Sequence, residues 1–287
     1  MGPWAERQDE AQPYAVRRAL EHVRGLSAGP PLDPSLRVTL NFHPDRLVRD
    51  EPILAAMARD GVYRSQFETG TSNGGLTAHA GGDRWRWESR IFGGAYDDAE
   101  PALRPKYGAL DRHARPYGGA PRFGSAHLRL APHVLDRTTF CFPDSVLEPE
   151  HFGVSTAFAL AEIADAAGHD LLDDYVEAHV HGIVRLARDV EAVVLDPGYR
   201  GTDVEADAVR LGVPVEWHPG YRLDVDVLRA HADYRGPQFV ALGESLAVDG
   251  VVTPQLLGAA SRAGRYDGQA LKRVWHYVAR FGRAEEG

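Results

Sequence analysis

The sequence predicts an α+β fold, a mainly antiparallel or mixed sheet with helical flanks. Three observations carry this. The predicted elements run helix, strand, helix, glycine-rich strands, helix, strand pair, helices, which is not the strict alternation of a doubly wound parallel sheet. Residues 61–124 hold twelve glycines, a density that disfavours regular helix and favours short strands joined by tight turns. The 287 residues are 44% hydrophobic and 25% charged, the composition of a globular protein, and a chain of this length buries about three-quarters of its surface.

The elements follow in order. Ala15, Val16, Ala19, Leu20, Val23 and Leu26 recur at helical spacing over residues 13–26. Pro13 suits an early helical position, and Gly29-Pro30-Pro31 ends the run. Leu36, Val38, Leu40 and Phe42 alternate with Arg37, Thr39, Asn41 and His43, the pattern of a half-buried strand. Residues 50–60 read as a short helix closed by Gly61. Strands are expected at 62–67, 84–92, 125–130 and 138–142. Residues 154–167 are alanine-rich and helical, ending at Gly168. Residues 176–184 and 190–195 read as two strands, punctuated by Gly182 and Asp196-Pro197-Gly198. A helix over 204–211 and a last strand over 213–217 follow, and 224–282 is mostly helical. The chain thus divides into an N-terminal helical segment (1–35), a core (36–223) and a C-terminal helical extension packed on it (224–287).

Composition excludes several functions. At a net charge of −9 and a pI near 5.8, a broad basic surface for nucleic acid is not expected. No apolar run approaches the ~18 residues of a membrane helix. The polar N-terminus shows no secretory signal, so a cytoplasmic protein, or an effector exported without a cleavable signal, is expected. One cysteine, Cys141, excludes an internal disulfide and a Cys-rich zinc site. The cations are nearly all arginine, with Lys106 and Lys272 the only lysines.

Three segments carry chemistry. On a strand, Glu177, His179 and His181 share one face, about 6.5–7 Å apart per step, while Val176, Ala178 and Val180 face the core. Such a face borders a cleft or is a solvated strand edge. A His-x-His pair at a strand end can also share a divalent metal, but the barrel of metal-dependent amidohydrolases needs about 250 residues, far more than remain after His181. His43-Pro44-Asp45-Arg46 follows the first strand directly. It places His43 and Arg46 at the strand mouth, where an arginine fork suits a pyrophosphate. The third segment, Tyr63 to Gly75, packs Arg64, Ser65, Phe67, Thr69, Gly70, Thr71 and Ser72 into a stretch whose hydroxyls and glycines can cradle phosphate or ribose. It is neither a P-loop nor a GxGxxG fingerprint. No Gly-x-Ser-x-Gly elbow occurs, and Cys141 reads as a small core residue.

Several stretches together resemble a bacterial family first catalogued as a domain of unknown function, which includes effectors similar to threonine-specific ubiquitin mono-ADP-ribosyltransferases. They are Asn41–Arg46, Tyr63–Gly75, Trp87–Tyr96, Arg104–Leu110, Arg122–Ser125, Glu177–Gly182 and Trp275-His276-Tyr277. The resemblance implies a split mixed or antiparallel sheet of ADP-ribosyltransferase type that binds NAD as substrate and needs no metal. It implies a phosphate-gripping arginine, Arg46 or Arg64, and a nicotinamide pocket from Ser65–Ser72 with Phe67. It also implies a catalytic glutamate, Glu177, with ubiquitin as protein acceptor and neither nucleic acid nor membrane as partner. Related transferases carry Glu-x-Glu or Gln-x-Glu. Here the pair is Glu177-x-His179, so either Glu177 is the catalytic carboxylate or His179 holds that place. Strand geometry makes His179 or His181 a candidate general base. The rival readings are an NAD glycohydrolase, a metal-dependent hydrolase using His179 and His181, and an inactive binding module.

Overall fold

The computed structural model describes residues 12–70 and 77–284. Thr71 and Ser72 lie outside the described residues. The central sheet has eight strands: β1 (Val38–Phe42), β2 (Lys106–Leu110), β3 (Ala126–Leu130), β4 (Thr138–Phe142), β5 (His151–Val154), β6 (Val176–Val180), β7 (Val190–Leu195) and β8 (Val215–Trp217). Their order is β8-β7-β3-β1-β2-β6-β4-β5. Every neighbouring pair is antiparallel except β7 with β8. The sheet is mixed, as the α+β reading expects. Its hydrogen-bonded order runs unbroken across all eight strands, where the resemblance implies a split.

Strand alternation sorts the two faces. Val38, Leu40 and Phe42 of β1 join Leu128, Phe140, Val176, Ala178 and Val180 in the main apolar core. Three helices close that face: α2 (Ile53–Asp60), through Leu54 and Met57, and the helices Leu160–Ala167 and Asp203–Val209. The opposite face carries Thr39, Asn41, Tyr107, His127, Thr139, Cys141, Glu177 and His179. It too is covered. Ala19 and Val23 of α1 (Tyr14–Leu26) pack with Ile91, Phe92 and Tyr96 over one part of it. The C-terminal helices build a second apolar cluster around Trp275, Tyr277 and Val278. That cluster ties back to the sheet through the Trp275 indole, which donates to the Pro121 carbonyl, and through the Trp275 ring set edge-on at 5.0 Å from His43.

Four expected elements change; the strand expected over 176–184 stops at Val180 and resumes only as the short Val184–Arg185. Residues 84–91 are helical, not a strand: they belong to α4 (Asp83–Ile91), with Phe92 at its C-cap. The glycines fall at its ends, with Gly82 at the N-cap and Gly93 and Gly94 at positive φ beyond it, so glycine density marked the boundaries rather than the interior. The strand at 62–67 shrinks to Val62–Tyr63, paired with Val184–Arg185. The chain then turns into α3 (Gln66–Thr69), because Ser65 and Glu68 form a reciprocal capping box. The helix expected over 154–167 starts only at Leu160 and is preceded by β5. Among the described residues, no helix is long and apolar enough to cross a membrane.

Candidate active site

Glu177 stands on β6, with its neighbours in register Ala109 on β2 and Cys141 on β4. Its Oε1 accepts from His179 Nε2 at 2.9 Å. Burial alone raises its carboxyl, but the His179 hydrogen bond and the fields of His179 and Arg84 outweigh that and hold it below the usual carboxylate range. Glu177 is therefore ionised at neutral pH although only 7% exposed.

The two histidines do not line a cleft. His179 and His181 are wholly buried, each with a ring edge against Phe92, so the expectation of an open strand face fails for both. Phe92 and Tyr96, which follow α4, roof the face. Thr139 Oγ1 lies 3.1 Å from His179 Nδ1 and 2.9 Å from His181 Nε2, and His181 Nδ1 lies 2.7 Å from the Tyr96 hydroxyl. Every ring nitrogen of the pair is thus engaged within the protein, which removes either ring from contact with an acceptor hydroxyl.

The segment after β1 lines a cleft of about 250 Å³, together with Tyr63, Arg64, Ser65, Thr69, Lys106 and Tyr107. His43 and Arg46 both reach it. Burial lowers the Arg46 pKa, with Asp45 offsetting part of the effect. Arg64 is different. It is exposed and bonds Asp60 at 2.8 Å and Glu68 at 3.1 Å, which raise its pKa. Ser65 spends its hydroxyl on the Pro101 carbonyl and on capping α3. Phe67 lies under the Arg104 guanidinium at 4.1 Å, and Gly70 ends α3 in the left-handed region. Of the predicted segment, Arg64, Ser65 and Thr69 reach the cleft, while Phe67 packs beside it.

Tyr107 joins the two halves. It lines the cleft, its ring meets His179 edge-on at 5.3 Å, and its hydroxyl donates to Glu88 at 3.1 Å. Arg84 lies 4.2 Å above the same ring. Behind it, Glu88 and Arg104 form a buried ion pair at 2.7 Å.

Sequence reasoning missed the cations that surround this region. Burial, reinforced by Arg122, Arg273 and Arg46, pushes Lys272 down to about 8. His276, pushed down to about 2 by burial and the neighbouring Arg122, Arg235 and Lys272, stands among them as a neutral ring. Burial also pushes Lys106 down to about 8, where its ammonium caps the carbonyls of Arg104 and Gly182. The signal was available: the only two lysines of the chain both stand here. Such a concentration of desolvated positive charge, in a chain of net charge −9, is suited to an anion.

A metal has one candidate seat among the described residues. Ligand atoms of Cys141, Glu177 and His179 lie within 4.8 Å of one another, all buried. His179 Nε2 and Glu177 Oε1 are already hydrogen-bonded to each other at 2.9 Å. Burial and the nearby carboxylates keep the Cys141 thiol well above its usual range, so it is a neutral group there.

A family model described as a protein of unknown function (DUF3626) matches residues 37–164 and 158–281. No curated protein matches the chain.

Proposed function

The chain belongs to the DUF3626 family, and we propose that it is a mono-ADP-ribosyltransferase, moving ADP-ribose from NAD to a protein side-chain hydroxyl, a threonine of ubiquitin. One observation carries the reading: desolvated Arg46, in the field of Lys272, opens on a cleft lined by Tyr107, and Tyr107 packs on His179, the hydrogen-bond partner of Glu177, which stands behind the lining residues. The choice of ubiquitin rests on the resemblance of the sequence motifs alone.

The parts suit the chemistry. A dinucleotide brings a pyrophosphate, and Arg46 offers it a bidentate fork at little further desolvation cost. Between the two candidate arginines, this favours Arg46, which lines the cleft half-buried beside Asp45, over Arg64, which is exposed. Breaking the nicotinamide–ribose bond sends the bonding electrons to the leaving nicotinamide and builds an oxocarbenium-like cation. A fixed carboxylate at the ribose hydroxyls stabilises that charge more in the transition state than in the ground state. Glu177 would use Oε2 for this, since His179 and the Cys141 thiol both face Oε1, with Ser145 the other hydroxyl beside the carboxylate. The acceptor hydroxyl then bonds to the ribose carbon and releases its proton to solvent water, while nicotinamide departs as the neutral base.

The test is intact-protein mass of ubiquitin after incubation with the enzyme and NAD. One added ADP-ribose, lost in the Glu177→Gln variant, is the expected result. Absence of NAD consumption overturns the reading. Nicotinamide release with ubiquitin mass unchanged transfers it to hydrolysis or another acceptor.

A further inference from the structure

Behind Glu177 the polar groups form a single file. Glu177 Oε1 meets His179 Nε2 at 2.9 Å, and His179 Nδ1 meets Thr139 Oγ1 at 3.1 Å. Thr139 Oγ1 meets His181 Nε2 at 2.9 Å, and His181 Nδ1 meets the Tyr96 hydroxyl at 2.7 Å. Four hydrogen bonds link five side chains from three parts of the chain, and Thr139, His179, His181 and Tyr96 have no solvent exposure. Phe92 seals the file, its ring within 5.5 Å of Tyr96, His179 and His181.

Donor arithmetic gives the file one self-consistent direction. An ionised carboxylate only accepts, so His179 Nε2 carries the proton. In the arrangement where Nδ1 accepts, the Thr139 hydroxyl donates to it. Thr139 then accepts from His181 Nε2–H, and His181 Nδ1 accepts from Tyr96 O–H. Each donor is used once and all point toward Glu177. Serial bonds of one polarity reinforce each other in a dry interior.

We propose that Tyr96, His181, Thr139 and His179 are positioning residues that act as one oriented hydrogen-bond file. The file locks the Glu177 carboxylate in a single rotamer with Oε1 held and Oε2 presented. The proposal rests on the transferase reading for its effect on NAD chemistry, but the file itself is testable without it. In this arrangement His179 serves geometry and has no free lone pair for an acceptor proton.

The decisive substitution is Thr139→Val, which keeps the shape and removes the central hydroxyl, compared with Thr139→Ser, which restores it. The expected result for Thr139→Val is a loss of about tenfold in kcat with KM for NAD unchanged, the rate equivalent of about one buried hydrogen bond. Thr139→Ser recovers most of it, and Tyr96→Phe, at the far end, gives a smaller loss of the same kind. Nitrogen-15 spectra of histidine-labelled protein provide the readout that does not depend on activity. The wild type should show both rings as Nε2–H tautomers, with the Nδ1 signal of His179 moving in Thr139→Val. Wild-type kcat in Thr139→Val, or a Thr139→Ser loss as large as the valine one, overturns the positioning role. Histidine spectra unchanged by Thr139→Val overturn the file. If the wild type consumes no NAD, the transferase reading falls and the spectra alone decide the file.

Discussion

Arg46 and Arg64 show how one residue type takes two roles through its neighbours. Arg64 is exposed and pairs with Asp60 and Glu68, whereas Arg46 is half-buried at the cleft beside Asp45. Substituting each by alanine should separate them. Arg46→Ala should raise KM for NAD at least about tenfold, since a desolvated charge-assisted contact is worth about 1.5–3 kcal/mol. Arg64→Ala should leave KM within about twofold, because exposed pairs contribute about 0–1 kcal/mol. Equal effects in steady-state kinetics would contradict the assignment. Glu177→Gln is the matching test on the carboxylate. The amide keeps an oxygen to accept from His179, so the melting temperature should stay near wild type while transfer falls about 10²-fold or more.

At the scale of elements, the end of β1 is the part that delivers His43 and Arg46, and it is held by close packing. Gly124 lies flat against the Phe42 backbone, and a Cβ there would overlap the Phe42 carbonyl. Its φ of 162° is ordinary extended backbone, so the constraint is space alone. Gly124→Ala should therefore push the strand end outward. The expected cost is about 1–3 kcal/mol of stability, read by denaturant titration, together with weaker NAD binding as Arg46 shifts. An unchanged midpoint would show that the strand end yields freely. The same scale explains the strand expected over 62–67. Ser65 and Glu68 are short-range capping partners, and their reciprocal bonds start α3 in the middle of that run. A capping box of this kind was legible in the sequence as Ser-x-x-Glu. Glycine density in the same stretch outweighed it and pointed to strand.

For the whole molecule, burial of neutral histidines sets the response to pH. His127 is pushed down to about 3 and His276 to about 2, and His181 well below its usual value, each mainly by burial. Below about pH 6.5 the unfolded chain takes up protons that these rings refuse in the fold. Each ring then costs about 1.4 kcal/mol per pH unit. Glu88 acts in the opposite sense. Burial pushes it up to about 7 despite Arg104, so its contribution grows on acidification and offsets one of the three. The melting temperature should fall steadily from pH 6.5 to pH 5, and a flat or rising curve would contradict the neutral burial. By itself, the sequence determined the periodic elements. The alternation of 36–43 put Val38, Leu40 and Phe42 on the core face, and that of 176–181 did the same for Val176, Ala178 and Val180, because side-chain direction on a strand follows from residue order alone. It also placed the helical tail and the candidate arginines. Only the tertiary structure decided that the opposite face is roofed, that Lys272 stands in the field of Arg46, and that Thr139 bridges His179 and His181. Burial, charge coupling and hydrogen-bond partnership depend on which distant segments meet, and no local pattern encodes that meeting.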